Sequence, residues 1–368
     1  MQPNMRSAMD PSTFRAEFPV LETKAFLNAG TDGPVPRRAA DIARERVEDE
    51  LTEGRAGRPH FDRMIAAMDR RRELVAGLMS CEQDELALTH STTDGVNIVL
   101  GGLDIQPGDE ILTSDEEHPG VLAPLAGARR RCGAAIRQAP FAGLASAVTE
   151  KTKFIATSHV SWVGGKVIDA AALRDTGVPF LLDGAQGIGA VPVDVRELGC
   201  DFYAASGQKW LCGPDGTGYL YVNKDRLDEI EPRFLSFGSI EDHEDPLGSP
   251  LHPNARRFDL SFVPSSAGAW AVASLELFED AGWDWVHDRA ATLADTLAGM
   301  LMERGREVLP RGRSTLVSWL DEDCEATSSR LGENGVVVRF IPGRGLVRAS
   351  VGAWNDESDL ERLAELAT

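Results

Sequence analysis

The chain has 368 residues and a mass of 39.8 kDa, enough for one large domain or two modest ones with cores of their own. Acidic residues (58) outnumber Lys and Arg (38), which gives a formal net charge of −20 and a pI near 4.8. Because such a surface repels phosphate groups, we expect neither nucleic acid nor a membrane surface as a partner.

The cysteine pattern excludes two further classes of protein. The five cysteines are odd in number, scattered and never spaced as C-x-x-C, which argues against a disulfide framework and a structural zinc site.

No apolar run approaches the roughly 18 residues of a membrane span, and the N-terminal segment lacks the apolar core of a signal peptide. We therefore expect a cytoplasmic protein without a bound metal.

The first half of the chain alternates between helical and strand patterns. Apolar residues at helical spacing predict helices over residues 37–53 and 64–79. Brief apolar runs predict strands over residues 85–89, 110–113, 154–158 and 178–182. Short, nearly continuous apolar strands separated by helices are typical of an α/β fold with a mainly parallel sheet covered on both faces.

The pattern changes after Glu231. Residues 237–254 are rich in Gly, Pro and acidic residues and predict a long loop, whereas residues 265–305 contain no Pro and predict one long helix or two consecutive ones. The remainder predicts a strand at 315–320, a helix, strands at 336–340 and 345–350, and a last helix from about residue 355. We predict a large α/β domain over residues 26–263 and a small α+β domain made of residues 1–25 and 264–368.

The most informative segment surrounds Asp183, which ends an apolar run where open α/β sheets place their ligands. Lys209 follows in the sequence SGQKW, and a lysine in apolar surroundings has a lowered pKa and can act as an amine nucleophile. Ser206 can donate a hydrogen bond to a phosphate. Taken singly, these residues also suit a plain turn or an exposed surface. In combination they are the acid, the lysine and the hydroxyl that pyridoxal 5′-phosphate (PLP) requires.

The segments DGAQ, SGQKW and GPDGTGYLYV resemble the signature of the class V, cysteine desulfurase-like family of PLP-dependent enzymes of fold type I. The resemblance extends from FLNAGTDGPVP (residues 26–36) to RASVGAWN (residues 348–355). It implies that Lys209 forms the Schiff base with the cofactor and that Asp183 pairs with the pyridine nitrogen. It also implies that Gln186 hydrogen-bonds the ring oxygen and that Ser206 binds the phosphate.

Two upstream segments complete the expected cofactor site. HSTTDGVNIVL resembles the family's phosphate loop, with Thr92 and Thr93 before a helical run whose first N–H groups attract an anion. A simple N-cap role for either threonine is the alternative. DEEHPGVLAPL resembles the segment whose histidine, here His118, stacks on the cofactor ring. The alternative for Glu117 and His118 is a solvated loop pair.

The substrate side of the site is expected near the C-terminus. Arg348 matches the family arginine that binds the substrate α-carboxylate through a bidentate pair, with Arg344 as the second candidate. We place substrate specificity in the segment that includes Asn28, in residues 237–254, and in Trp162.

The same family is expected to form homodimers with active sites near the interface. RRFDLSFVPSS resembles the segment that supplies a hydroxyl to the partner's phosphate site. Phe262 stands at the usual threonine in this chain, and Ser261 is the substitute that we expect.

Three differences from the cysteine desulfurase pattern indicate the branch of the family to which the chain is most similar. Residues 336–348 contain no cysteine to carry a persulfide, and Cys324 lies in an acidic stretch that opposes thiolate formation. Trp162 stands where desulfurases usually have an asparagine, which resembles the cyst(e)ine C–S lyase branch. Gln208 replaces a histidine and cannot carry a proton, so acid–base work falls mainly on Lys209.

The first hypothesis is therefore a PLP-dependent enzyme that performs β-elimination on cysteine, cystine or a cysteine S-conjugate. A class V aminotransferase and an amino-acid epimerase use the same residues and remain open alternatives. A non-catalytic binding protein on the same fold is a more distant alternative. A nicotinamide enzyme is not expected, because no G-x-G-x-x-G motif follows a strand.

Overall fold

The computed structural model describes residues 9–367, which form helices and strands in alternation. Within this range the helices are α1 (Pro11–Ala16), α2 (Arg37–Glu53), α3 (Gly57–Leu78), α4 (Thr92–Gly102), α5 (Pro119–Cys132), α6 (Ala170–Arg174), α7 (Val195–Leu198), α8 (Ser265–Ala281), α9 (Trp283–Glu303), α10 (Cys324–Glu333) and α11 (Glu357–Leu366). The strands are β1 (Ala25–Phe26), β2 (Leu86–Thr89), β3 (Glu110–Ser114), β4 (Ala135–Ala139), β5 (Thr152–Ser158), β6 (Phe180–Asp183), β7 (Phe202–Ser206), β8 (Gly218–Val222), β9 (Leu316–Leu320), β10 (Val336–Val337), β11 (Arg339–Ile341) and β12 (Leu346–Ser350).

A seven-stranded sheet in the order β2-β8-β7-β6-β5-β3-β4 forms the centre of the fold. All neighbouring strands are parallel except that β8 runs antiparallel to both β2 and β7. Separate apolar clusters pack on the two faces of the sheet, which explains why β3, β6 and β7 are buried along their whole length. The predicted α/β fold with a mainly parallel sheet is confirmed.

Local sequence signals fix the helices that border the site. Ser91 caps α4 by accepting a hydrogen bond from the Asp94 N–H, so the N-cap alternative for Thr92 and Thr93 is wrong. His118 occupies the cap position of α5, where its side chain accepts from the Gly120 N–H. Helix α2 has its predicted bounds, whereas α3 begins seven residues before the predicted position 64.

The C-terminal part of the chain contains a three-stranded antiparallel sheet in the order β11-β12-β9. The single strand predicted over 336–340 is wrong, because β10 pairs in parallel with β1 and only β11 pairs with β12. Gly282, with φ of 88°, separates α8 from α9, so the two-helix alternative is confirmed. In the described residues no helix is long and apolar enough to cross a membrane.

The predicted division at residues 26–263 and 264–368 remains a prediction. Helix α8 packs against α2 and α3, and one apolar cluster joins Phe14 near the N-terminus, Trp210 beside the large sheet and Phe278 of α8. Leu316 of β9 belongs to the same cluster, so this packing joins the C-terminal sheet to the segment that follows β7 and carries Lys209.

Candidate active site

A cavity of about 250 Å³ opens at the carboxyl ends of β6 and β7. This is the edge where open α/β sheets bind ligands. Nine of the eleven predicted site residues line it: Thr92, Thr93, His118, Trp162, Asp183, Gln186, Ser206, Lys209 and Arg348. The structure therefore brings together residues that are far apart in the sequence.

Lys209 lies in the turn that follows β7 and is half-buried in the cavity. Burial lowers the pKa of Lys209 to about 8, while Asp183 acts to raise it and Arg348 acts to lower it. Asp183 is also buried and accepts one hydrogen bond, from the Ala185 N–H at 2.8 Å. Burial raises the pKa of Asp183, and Lys209 opposes that shift. The site thus offers an amine that loses its proton readily and a buried carboxyl that a cationic ring nitrogen would stabilise.

The floor of the cavity carries two hydroxyls without a partner. The Thr92 and Ser206 hydroxyl oxygens are buried and make no hydrogen bond with the described residues. Thr92 is the first residue of α4, so its hydroxyl lies beside the free N–H groups of a helix N-terminus. This corner has the donors that a phosphate needs.

His118 and Trp162 form one wall. Their ring centroids lie 5.0 Å apart at an interplanar angle of 89°. The His118 Nδ1 atom accepts a hydrogen bond from the Gly120 N–H at 3.0 Å, so the neutral ring carries its proton on Nε2. Burial, reinforced by the charge of Lys209, lowers the pKa of His118 to about 4. A neutral aromatic ring in this position can stack on a planar cofactor.

Glu117 is buried beneath this wall, which overturns the solvated-loop alternative for Glu117 and His118. It accepts hydrogen bonds from the Ser114 hydroxyl at 2.5 Å, the Thr157 hydroxyl at 2.8 Å and the Ser158 hydroxyl at 2.6 Å. These bonds tie the ends of β3 and β5 to the segment that carries His118.

Arg348 and Arg339 line the cavity beside Trp162. They are paired directly across β12 and β11. Arg348 donates to the Trp162 carbonyl oxygen at 2.7 Å, and Arg339 donates to the Thr31 hydroxyl at 3.2 Å. Burial and the charge of Arg339 lower the pKa of Arg348 to about 9. In the described part of the chain both guanidiniums are held by neutral oxygens, so each is available to a carboxylate.

Arg339 was not predicted from the sequence, although the spacing of two arginines on either side of the turn at residues 342–345 indicates it. Asp32, which lines the cavity beside the predicted specificity segment, was not predicted either. Arg344, the second candidate for the carboxylate, is exposed and instead donates to the Asp115 carbonyl oxygen at 2.8 Å.

Hydrogen bonds fix the positions of two further predicted residues. Asn28 lies outside the cavity lining, where it accepts a hydrogen bond from the Thr31 hydroxyl at 2.9 Å and so shapes the turn that contains Gly30. Gln186 is held at both ends of its amide, because it donates to the Gly30 carbonyl oxygen at 2.7 Å and accepts from Trp210 at 3.0 Å. Its second amide N–H can still serve a ligand. The loop over 237–254 contributes no residue to the cavity lining.

No cysteine lines the cavity in residues 9–367, and all five cysteines are free. Cys212 is close to Lys209 in sequence but is buried, and burial raises the pKa of its thiol well above the usual range. The turn between β11 and β12 is four residues long. These observations agree with the expected lack of a persulfide-carrying cysteine.

The residues present fit PLP. Unpartnered buried donors lie where a phosphate and a carboxylate would bind, namely the Thr92 and Ser206 hydroxyls and Nε of Arg348. The amine of Lys209 and the buried carboxyl of Asp183 are the two groups that would hold the aldehyde and the pyridine ring of the cofactor. The fold and this cavity define a PLP-dependent enzyme.

The particular family follows from comparison. Residues 26–363 match the family model described as Aminotransferase class-V, and the chain belongs to that family. A probable cysteine desulfurase of Methanothermobacter thermautotrophicus is 32% identical over 62% of this chain and 60% of its own length. The isopenicillin N epimerase of Streptomyces clavuligerus is 28% identical over 93% of this chain and 94% of its own length.

Solved structures of one protein, C-DES, have a very similar fold. A mutant of C-DES with glycine covalently linked to the PLP cofactor superposes with a TM-score of 0.91 and 27% identity over 96% of this chain and 98% of that chain. A second structure is described as the cystine C–S lyase C-DES with its reaction product cysteine persulfide, with a TM-score of 0.90, 27% identity, and coverage of 95% and 99%. The predicted PLP-dependent fold and cofactor are confirmed.

Proposed function

We propose that this enzyme is a C–S lyase that eliminates the sulfur of a cysteine derivative, and that it favours a disulfide such as L-cystine. One observation carries the preference: Arg348 and Arg339 lie side by side in the cavity, and within the described residues both are held by neutral oxygens. Two adjacent guanidiniums repel each other, and two carboxylates would relieve that repulsion. Cystine carries two carboxylates, whereas cysteine carries one.

PLP, when bound, holds the substrate amine and accepts the electrons released at the α-carbon, so that sulfur can leave from the β-carbon with its bonding pair. In this proposal Lys209 holds the cofactor and then removes the α-proton, for which its lowered pKa suits it. Asp183 keeps the ring nitrogen protonated, and the neutral His118 covers the ring. Thr92, Thr93 and Ser206 bind the phosphate, and Gln186 donates to the ring oxygen.

Arg348 binds the α-carboxylate, and Arg339 binds the carboxylate at the far end of the disulfide. Trp162 places its carbonyl on Arg348 and its ring against His118, so it couples the carboxylate site to the cofactor wall. For cystine and one water the balanced products are pyruvate, ammonia and cysteine persulfide. The cleaved C–S electrons leave with the persulfide sulfur, so no catalytic cysteine or external reductant is required.

Pyruvate release tests the proposal directly. The purified holoenzyme is incubated with L-cystine, L-cysteine or L-alanine, and pyruvate, sulfide, persulfide and pyridoxamine phosphate are measured. We expect pyruvate and persulfide from L-cystine and none from the Lys209→Ala variant. Pyridoxamine phosphate with no pyruvate would instead support transamination. Inversion of the α-carbon would support the epimerase alternative, for which the Streptomyces clavuligerus relative is the specific reason.

We further propose that the enzyme acts as a homodimer in the cytoplasm. Ser261 is exposed in the single chain, and its carbonyl oxygen accepts from the His90 ring at 2.8 Å. This geometry leaves its hydroxyl free to reach a partner's phosphate site. All five cysteines are free, which supports a reducing compartment. Sedimentation of the holoenzyme tests the dimer, and loss of PLP affinity in Ser261→Ala tests the hydroxyl.

A further inference from the structure

The mouth of the cavity contains a carboxylate that the proposed chemistry does not use. Asp32 lines the cavity together with Arg339 and Lys209 and is exposed to solvent. Burial and the nearby Asp215 raise the pKa of Asp32, whereas Lys209 and Arg339 lower it. In residues 9–367 its side chain forms no ion pair and no hydrogen bond. A carboxylate that faces two cations in a cavity without pairing with either is available to a ligand.

The backbone holds Asp32 firmly in place. The Asp32 N–H donates to the Asn28 carbonyl oxygen at 3.2 Å, and the Gly33 N–H donates to the Gln208 carbonyl oxygen at 2.8 Å. A Cβ on Gly33 would lie 2.1 Å from the Lys209 carbonyl oxygen, so the turn packs directly on the loop of Lys209. The position of Asp32 is therefore coupled to that of the reacting lysine.

Arg339 reaches the same turn from the other side. It donates to the hydroxyl of Thr31, the residue before Asp32, at 3.2 Å. The carboxylate of Asp32 and the guanidinium of Arg339 thus flank one short segment and are not salt-bridged to each other. Opposite charges held apart by a rigid turn are complementary to a zwitterion, which presents an ammonium and a carboxylate on one carbon atom.

We propose that Asp32 and Arg339 together bind the distal amino-acid end of a disulfide substrate, with Asp32 receiving its ammonium and Arg339 its carboxylate. The proposal rests on the C–S lyase function and adds a specificity determinant to it. Asp32 selects substrates whose far end carries a positive charge next to a negative one. The substrate class is therefore bis-amino-acid disulfides rather than cysteine or simple S-conjugates.

A set of four disulfides with different distal charges distinguishes the contact made by Asp32 from the contact made by Arg339. The holoenzyme is assayed for pyruvate with L-cystine and with the mixed disulfides of L-cysteine with cysteamine, 3-mercaptopropionate or 2-mercaptoethanol. The distal ends of these four compounds carry both charges, the ammonium alone, the carboxylate alone, or neither. Asp32→Asn and Arg339→Gln are compared with wild type. Asp215→Asn serves as the matched control, because it removes a nearby acidic charge that does not line the cavity.

For Asp32→Asn we expect KM to rise about fivefold to tenfold for L-cystine and the cysteamine disulfide, and to stay unchanged for the other two. Arg339→Gln should raise KM for L-cystine and the 3-mercaptopropionate disulfide but not for the cysteamine disulfide. Asp215→Asn should not discriminate among the four. An equal loss of Asp32→Asn activity on all four disulfides would overturn the proposal, because Asp32 would then act on Lys209 rather than on the substrate.

A binding measurement keeps this inference distinct from the proposed reaction. Calorimetric titration of L-cystine into the Lys209→Ala protein loaded with PLP gives Kd without turnover, and Asp32→Asn in that background should raise Kd about fivefold to tenfold. If wild type forms no pyruvate but this difference in Kd is present, the C–S lyase function is wrong and the zwitterion site stands. If the Kd values are equal, the zwitterion site is wrong whatever the enzyme's activity.

Discussion

Replacing Gly30 by alanine should disturb substrate binding without disturbing the fold. A Cβ at this buried glycine would lie 2.7 Å from the Ser350 hydroxyl, 2.9 Å from Nη2 of Arg348 and 3.0 Å from Oε1 of Gln186. Ordinary contact begins near 3.4 Å, so these groups must shift by about 0.4 to 0.7 Å. Gly30 has no positive φ, so the backbone itself accepts alanine.

The side chains that must move cannot do so freely. Arg348 is 1% exposed and fixed to the Trp162 carbonyl oxygen, and Gln186 is hydrogen-bonded at both ends of its amide. If one charge-assisted hydrogen bond from Arg348 to the substrate carboxylate is lost, the cost is about 2 kcal/mol. That corresponds to an increase of about thirtyfold in KM for L-cystine. The kcat value should change less, since Lys209 and Asp183 keep their contacts.

The assay compares steady-state pyruvate formation, PLP absorbance and the urea midpoint for Gly30→Ala and Gly127→Ala. Gly127 lies within α5, and a Cβ there meets open space, so this control should keep wild-type KM and gain about 0.5 to 1 kcal/mol in stability. An unchanged KM in Gly30→Ala, with PLP retained, would refute the assignment of Arg348 as the carboxylate site.

The remaining predictions concern titration and stability. In the apoprotein, the rate of PLP attachment, followed by absorbance, should rise about fivefold between pH 7 and 8, because only neutral Lys209 reacts and its pKa is about 8. Since the charge of Asp183 raises that pKa, Asp183→Asn should shift the pH profile of this rate to lower pH. Burial lowers the pKa of His287 to about 4. As the pH falls, this histidine is therefore protonated in the unfolded chain before it is protonated in the folded one, and the free energy of unfolding should decrease between about pH 6.5 and pH 4. In urea titrations, His287→Phe should lessen that loss by up to about 3 kcal/mol. Asp259→Asn should lower the free energy of unfolding by about 3 to 5 kcal/mol, because the buried Arg72 then loses its counter-charge. In the wild type, Nη2 of Arg72 lies 2.7 Å from the Asp259 carboxylate. An unchanged urea midpoint would contradict this prediction.

The sequence predicted those elements whose burial is uniform. Strands β3 and β6 are short apolar runs buried on both faces, and their bounds differ from the predicted ones by one or two residues. Strand β4 was not predicted, because it is an edge strand and its sequence, AIRQA, lacks an apolar run and is fully buried only at Ala139. The break between β10 and β11 could not be predicted either, because it depends on pairing with β1 near the other end of the chain.

The residues of the site also fall into those that the sequence predicted and those that it did not. Residues within contiguous motifs, such as Asp183 and Lys209, were predicted because their neighbours form a signature. Arg339 and Asp32 were missed because each gains its significance from a tertiary contact. Arg339 depends on the register that places it opposite Arg348, and Asp32 depends on a turn that packs against the Lys209 loop. Such relations between distant residues have no local pattern.

The register of β11 and β12 also explains how a chain of net charge −20 can bind anions. Arg339 and Arg348 stand opposite each other across the hairpin, so their charges add at one point and counter the average field of the protein. Arg348 is buried without a carboxylate partner among the described residues, an arrangement that costs free energy in the empty cavity. A substrate carboxylate removes that cost on binding. A single buried arginine could serve cysteine equally well, whereas a directly opposed pair is relieved fully only by a ligand with two carboxylates, and this is the physical reason for favouring the disulfide.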